Sequence, residues 1–154
     1  MDFTFRIAVD SDTEALVAFM RQLYEHDHTY FDEISCRKTL PLILANEHFG
    51  KVWIIEANNQ AIGYIVLTFG FSIEYHGRNA ILDEIFVSED YRKHGIGKQA
   101  INLAIEACKS LGIDAIHLVV EHENLNAHAV YRKLGFKTNS RYLMTKWIGE
   151  PAAE

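Results

Sequence analysis

Two glycines beside basic residues form the pattern with the clearest chemical meaning in this chain. The segment 91–98 reads YRKHGIGK, in which Gly95 and Gly97 follow two basic residues. Glycine has no Cβ, so a ligand can come close to the backbone. The segment lies between a run typical of a strand (80–87) and a run typical of a helix (96–111). Because the first turn of a helix has free N–H groups and a positive dipole end, we expect this loop to bind a phosphate or pyrophosphate.

Two of three known phosphate-loop patterns do not fit this segment. A Walker loop, GxxxxGK[ST], fails because Gln99 stands at its last position and Arg92 at its first. A dinucleotide loop, GxGxxA, should follow its strand almost directly, whereas seven residues separate Val87 from Gly95. The third pattern, RxxGxG after a strand, fits residues 92–97.

A second motif makes the third pattern specific. Residues 124–136 read NLNAHAVYRKLGF, which fits NxxAxxφYxxLGF. Together with RxxGxG, this segment resembles the signatures of the GNAT acetyltransferases, and the resemblance spans nearly the whole chain. It implies an acetyl-CoA-dependent N-acetyltransferase, with the glycine loop at the pyrophosphate. His26 and His28 have no third ligand at recognisable spacing, so we expect no metal.

The elements that position these motifs follow from the alternation of apolar and polar residues. We expect a mixed α/β sheet with helices on its faces, in the order βααβββαβαβ, which is the GNAT acyl-CoA N-acyltransferase fold. One domain should cover residues 1–148, and residues 149–154 should be a disordered tail. The predicted strands are 3–8, 52–57, 61–71, 80–87, 115–120 and 141–147. The predicted helices are 11–27, with a capping box of Ser11 and Glu14, then 36–46, 96–111 and 126–134.

Composition narrows the classes of partner. The chain has 154 residues, 49% of them apolar, and a net charge of −6. A basic surface for nucleic acid is therefore not expected, and no apolar run is long enough for a membrane span. Cys36 and Cys108 are isolated and lack the spacing of metal ligands. With no secretory signal visible, we expect a cytoplasmic location.

Acetyl transfer to an amine needs a base, an oxyanion donor and an acid for the departing thiolate. The resemblance assigns Tyr131 to the thiolate. Asp83 and Glu84 are both candidates for the base, and we favour Glu84 slightly. Neighbouring residues of a strand point to opposite faces unless a bulge intervenes, so one acid should be functional and the other structural.

The resemblance also implies the residues that hold acetyl-CoA. A backbone N–H in the segment 85–87 should donate to the oxyanion. Asn124 is either a contact to the pantetheine or a helix cap, and the two roles are compatible. The predicted acetyl-CoA-binding residues are Ile85, Phe86, Val87, Arg92, Lys93, His94, Gly95, Ile96, Gly97, Lys98, Asn124 and Ala127.

The acceptor is predicted from an acidic and aromatic stretch, residues 24–33. Carboxylates beside aromatic faces suit an ammonium group, so Tyr24, Glu25 and Asp83 are candidates for contacting a small cationic amine such as a diamine or polyamine. An enzyme for protein lysines or N-termini is the alternative, and a non-catalytic acyl-CoA sensor is a second one. We also expect a homodimer, through apolar residues on the long strand and near the C-terminus: Phe69, Phe71, Tyr142 and Trp147.

Overall fold

The computed structural model describes residues 1–149. They form two compact units, the first from Met1 to Leu118 and the second beginning at Val119. Except for Gly149, the predicted tail lies outside the described residues. A single domain over residues 1–148 stays a prediction.

The first unit contains a five-stranded mixed sheet, which confirms the predicted fold class. The strands lie in the order β1-β2-β3-β4-β5. The first four are antiparallel neighbours, and β5 runs parallel to β4. Their bounds are β1 Thr4–Ile7, β2 Gly50–Ala57, β3 Gln60–Ser72, β4 Gly77–Val87 and β5 Ile116–His117.

Three helices of the first unit cover this sheet: α1 Thr13–His26, α2 Glu33–Ala45 and α3 Ile96–Ser110. Helices α1 and α2 share one apolar cluster with β2, β3 and β4, because their apolar residues recur at helical spacing. Helix α3 packs against β4 and buries its own apolar face. The α1 and α2 cluster consists of Ala8, Leu16, Val17, Met20, Leu40, Val52, Ile54, Tyr64, Val66 and Phe86.

The hairpin between β2 and β3 has the turn that its two asparagines predict. Asn58 and Asn59 have φ angles of 53° and 61°, in the left-handed region that asparagine tolerates better than most residues. Two such residues in succession make the turn whose twist matches that of the flanking strands. The local sequence therefore fixes the start of the long strand β3.

The predicted capping box at the start of α1 is wrong. A tight turn, Asp10–Asp12, precedes the helix, and the Val9 N–H donates to Asp12 Oδ2 at 2.8 Å. Glu14 instead pairs with the guanidinium of Arg37 on α2. The reason is that Arg6 on β1 holds the Asp12 carboxylate, and a local motif takes no account of such a partner.

The second helix begins at Glu33, three residues before the predicted start. Asp32 precedes it, and its Oδ1 accepts the Ser35 N–H at 3.0 Å, so Asp32 is the N-cap. Pro41 lies inside this helix.

The second unit contains the helix α4, Leu125–Lys133. The predicted strand 141–147 is wrong, since residues 137–149 contain no strand. The strand β5 of the first unit is also shorter than the predicted 115–120. A strand requires a hydrogen-bonded neighbour over its length, and alternation of apolar residues does not reveal whether that neighbour exists.

Candidate active site

The glycine loop has the backbone geometry that anion binding requires. Gly95 has φ 76° and lies directly before α3, which starts at Ile96. Lys93 also has a positive φ of 67°, which is uncommon for a residue with a Cβ. Among residues 1–149, a Cβ built on Gly95 or Gly97 meets no atom within 4 Å apart from its chain neighbours and its own helix. The first turn of α3 is therefore open at both glycines, and no packing contact of the described residues requires Gly97 to lack a side chain.

Side chains fix the loop to the end of β4. Arg92 Nε donates to the Val87 carbonyl at 2.7 Å, and its guanidinium lies 5.5 Å from the centre of the Phe86 ring. His94 Nδ1 lies 2.9 Å from the Arg92 carbonyl, which accepts its hydrogen. The predicted acetyl-CoA residues Phe86, Val87, Arg92 and His94 thus form one connected structure.

Strand β4 is unpaired on one side over its second half. Its parallel pairing with β5 covers Ala80 and Ile81, and in the described part of the chain no strand pairs with this edge beyond Ile81. The segment 85–87 lies in this second half. Backbone groups that point away from β3 there have no ladder partner, which is the condition for binding an extended ligand through the main chain.

A bulge in β4 decides which way the two candidate acids face. Val66 of β3 pairs with Glu84, but the next residue, Leu67, pairs with Leu82. Asp83 is therefore the extra residue of a bulge. Because one residue is added, Leu82 and Glu84 lie on opposite faces, and Glu84 shares the face of Val66, which α1 and α2 cover.

Glu84 receives two phenolic hydrogen bonds on that face. Tyr24 Oη of α1 donates to Glu84 Oε2 at 2.6 Å, and Tyr64 Oη of β3 donates to Oε1 at 2.7 Å. Tyr64 is 0% exposed, and its ring stacks on Phe19 with the ring centres 6.3 Å apart. Tyr24 is half-buried and makes an edge contact with Phe31. The carboxylate is held by uncharged donors from two different elements.

Burial raises the pKa of Glu84, although the two phenolic hydrogen bonds act to lower it. The charges of Asp83 and Asp27 raise this pKa further. Burial also raises the pKa of Asp83, although solvent reaches its side chain. A carboxylate with a raised pKa is a better proton acceptor near neutral pH. Both predicted acids therefore have the property of a base, and Glu84 also has fixed partners.

The predicted acceptor residues differ in their contact with Glu84. Glu25 follows Tyr24 on α1, but it is exposed. Asp83 lies near enough to Tyr24 for its charge to raise the pKa of that phenol. Of the predicted acceptor residues, the described contacts connect Tyr24 and Asp83 to Glu84, and leave Glu25 at the surface.

The LGF part of the motif, residues 134–136, forms the end of helix α4 directly after Tyr131. Gly135, with φ 96°, ends α4 in the left-handed conformation. The Gly135 N–H donates to the Arg132 carbonyl and the Phe136 N–H to the Tyr131 carbonyl, each at 3.0 Å, and the Phe136 ring packs edge-on against Tyr131. This is the Schellman ending of a helix. It fixes the position of Tyr131 on its helix.

Asn124 is the N-cap of α4, as one of its two predicted roles required. Its Oδ1 accepts the Ala127 N–H at 3.2 Å. The two motif residues Asn124 and Ala127 thus have a structural function in the second unit. A contact of either residue with acetyl-CoA stays a prediction.

Sequence reasoning missed Tyr64 as a site residue. A signal was present, because a phenol inside the apolar run 62–67 needs a hydrogen-bond partner when buried. Among residues 1–149 there is no group of three metal-ligating side chains. None of the helices described is long and apolar enough to cross a membrane.

Comparison with known proteins identifies the family of this chain. The model of the Acetyltransferase (GNAT) family matches residues 17–136. An uncharacterized N-acetyltransferase of Methanocaldococcus jannaschii is 35% identical over 86 residues, which are 55% of this chain and 38% of that protein. This chain thus spans well under half the length of that relative. The mouse thialysine N-epsilon-acetyltransferase is 28% identical, over 84% of this chain and 81% of its own.

A solved structure shows the same fold. The predicted acetyltransferase with acetyl-CoA from Clostridium acetobutylicum superimposes with a TM-score of 0.81 at 21% identity, over 94% of this chain and 96% of that one. The fold is that of an acetyltransferase domain. The chain belongs to the GNAT acetyltransferase family, which confirms the resemblance found in the sequence.

Proposed function

We propose that this protein transfers the acetyl group of acetyl-CoA to the primary amine of a small cationic acceptor, by direct attack in a ternary complex. The observation that carries the proposal is the Glu84 carboxylate, which a bulge places on the covered face of the sheet between two uncharged donors. Such a group can take a proton from an ammonium and release it later.

The environment of Glu84 supports a cationic acceptor. Asp83 and Asp27 act on it electrostatically, and Tyr24 adds an aromatic face. Carboxylates and aromatic rings together attract ammonium groups. Among the relatives, the mouse enzyme is named for thialysine, an amine of this kind.

Direct attack is supported by the state of the cysteine beside the site. Burial raises the pKa of the Cys36 thiol, and the charge of Glu84 raises it further. A thiol that resists ionisation is a poor nucleophile, so Cys36 is not suited to carry the acetyl group. In this proposal Tyr131 protonates the departing thiolate, a role that rests on the family motif.

The glycine loop and β4 are proposed to hold acetyl-CoA. The first turn of α3 would bind the pyrophosphate, and the segment 85–87 would bind the pantetheine arm and the oxyanion. The open space at Gly97 and the unpaired edge of β4 support this assignment.

Two measurements test the proposed function. Acetyl-CoA should raise the melting temperature in proportion to the logarithm of its concentration. Gly97→Val should remove that shift without lowering the melting temperature of the free protein, since in the described part of the chain its Cβ meets no packing neighbour within 4 Å. A flat titration of the wild type would contradict acetyl-CoA binding.

The acceptor is tested by amine-dependent release of CoA. Diamines, polyamines and lysine analogues should give a higher kcat/KM than neutral amines or peptides, and the advantage should shrink as salt rises. Tyr131→Phe should lower kcat by roughly a hundredfold to ten-thousand-fold, the range for a general acid. A peptide that exceeds every dication would favour the protein-acetylating alternative, and binding without any turnover would favour the sensor.

We also infer a homodimer and a cytoplasmic location. Phe71, Tyr142 and Trp147 are 82%, 85% and 69% exposed, and exposed apolar residues of this size often mark an interface. Phe69 does not belong to this set, because the Arg78 guanidinium lies over its ring at 4.2 Å. Light scattering at micromolar concentration should give twice the monomer mass of 17.6 kDa, and the monomer mass would contradict the dimer.

A further inference from the structure

The two phenols on Glu84 have the same chemistry but differ in their access to a substrate. Both donate to the same carboxylate, one to each oxygen. Tyr64 is 0% exposed, and its ring packs against those of Phe19 and Phe86, which also contact each other. Tyr24 is half-buried, and its ring lies edge-on to Phe31. Tyr24 is therefore the phenol of the two that is open to solvent, and Tyr64 is closed to an acceptor.

The hydroxyl of Tyr24 joins the solvent-accessible side chain of Tyr24 to Glu84 Oε2 by a hydrogen bond of 2.6 Å. A phenol that donates its hydrogen to a carboxylate keeps a lone pair that can accept another hydrogen bond. Donation to an ionised group also polarises the phenol and makes its oxygen a better acceptor. An ammonium that reaches Tyr24 thus meets an acceptor that is already connected to a base.

We propose that Tyr24 passes the proton of the acceptor ammonium to Glu84, so that the amine contacts the tyrosine hydroxyl and not the carboxylate. This step rests on the proposed function. An N–H bond of the ammonium breaks as a new O–H bond forms on Tyr24 Oη. The original O–H bond of Tyr24 breaks as an O–H bond forms on Glu84 Oε2. The phenol stays neutral throughout, and the freed nitrogen lone pair attacks the thioester carbonyl.

The charges around this path favour a concerted transfer. Burial, Glu84 and Asp83 all raise the pKa of Tyr24, so a free phenolate is disfavoured and the phenol must gain a proton as it loses one. Burial, and after it the charges of Asp83 and Asp27, raises the pKa of Glu84 and makes it the stronger proton acceptor. The thiol of Cys36 stays neutral because burial and Glu84 raise its pKa.

Tyr24→Phe and Tyr64→Phe form a matched pair that tests the relay. Each variant keeps a ring and removes one hydrogen bond from Glu84, so each should move the acid limb of the kcat/KM profile to higher pH. Tyr24→Phe should in addition lower the plateau of kcat/KM at least tenfold below that of Tyr64→Phe, because it alone breaks the path. Tyr75→Phe controls for the loss of a phenol elsewhere, since Tyr75 lies in the β3–β4 turn against His117.

Equal plateaus for Tyr24→Phe and Tyr64→Phe, within about twofold, would overturn the relay and leave the acetyltransferase assignment intact. A wild-type protein that acetylates no amine would overturn both. Should either variant fail to fold, the wild type supplies a second test under single-turnover conditions. Two protons in flight predict a curved dependence of the rate on the deuterium fraction of the solvent, and a linear dependence would contradict the relay.

Discussion

Two acids in the first unit, Asp12 and Glu84, are held in opposite ways. Asp12 is buried, and its carboxylate accepts three hydrogen bonds of 2.8 Å. Two come from the guanidinium of Arg6 and one from the Val9 N–H. The Arg6 hydrogen bonds lower the pKa of Asp12. Glu84 is bound by two neutral phenols, and burial raises its pKa. A charged partner keeps an acid ionised and structural, whereas neutral partners leave it ready to accept a proton.

Asp12 and Glu84 also differ in the elements that they connect. Arg6 also pairs with Glu56 on β2, so Asp12 belongs to a cluster that ties β1 and the start of α1 to the sheet. The partners of Glu84 come from α1 and β3, the elements that line the proposed acceptor site. Replacing each acid by its neutral amide should therefore have different consequences for activity and for stability.

The largest expected effect is on the rate. Glu84→Gln removes the base but retains the shape of the side chain, so kcat/KM should fall by roughly a hundredfold to ten-thousand-fold. Asp12→Asn is the matched control and should change kcat/KM by less than about threefold, because Asp12 contacts the start of α1 and not the site. Amine-dependent release of CoA measures both. If the two variants lose activity equally, the distinction between the acids fails.

The second effect is on the free energy of unfolding. Asp12→Asn leaves Arg6 with Glu56 alone and weakens the hydrogen bond from Val9, so it should lower this free energy by about 1.5–3 kcal/mol. Glu14→Gln serves as the control, because its ion pair with Arg37 is exposed and such pairs contribute little. Urea denaturation measures both variants. A loss for Glu14→Gln as large as for Asp12→Asn would show that burial is not the deciding factor.

The sequence predicts those features of the fold and the site that depend on neighbouring residues. Turn chemistry and apolar alternation are local, so the hairpin at Asn58 and the loop at Gly95 were predictable. The role of Asp12 was not, because its partner Arg6 lies on β1 and a capping motif with Ser11 looked equally suitable. Arg6 is only six residues from Asp12, but no standard local motif pairs the two, and the link from Arg6 to Glu56 appears only when the sheet has formed.

The choice between the two candidate bases also depends on partners that the local sequence does not reveal. Adjacent acids on a strand predict that one of Asp83 and Glu84 faces each side, but the extra residue at Asp83 decides which. Tyr64 joins Glu84 across the sheet, and no sequence spacing connects the two. The strand expected at 141–147 is absent for a related reason, since alternation describes one strand and says nothing of its neighbour.

The smallest expected effect is the pH dependence of stability, and its sign differs between the two acids. The folded pKa of Glu84 lies above its unfolded value, so the folded state holds that proton more tightly and stability falls as pH rises from about 4.3 through the folded pKa. The folded pKa of Asp12 lies below its unfolded value. Its stabilising contribution is therefore present above about pH 3.9 and is lost as pH falls through the folded pKa.

At neutral pH, Glu84→Gln should consequently melt above the wild type, by roughly 2–4 °C if the charge costs about 1 kcal/mol, and Asp12→Asn should melt below it. The Glu84→Gln difference should shrink as pH falls to about 4.3, because Glu84 is then protonated when folded and increasingly protonated when unfolded. The Asp12→Asn difference should begin to shrink below about pH 3.9, because Asp12 of the unfolded protein then takes up its proton. Calorimetric melting of the three proteins between pH 3 and pH 8 measures this. A Glu84→Gln variant that melts below the wild type at pH 7 would mean that the phenolic hydrogen bonds outweigh the cost of burying the charge. Glu84 would then be a structural acid like Asp12.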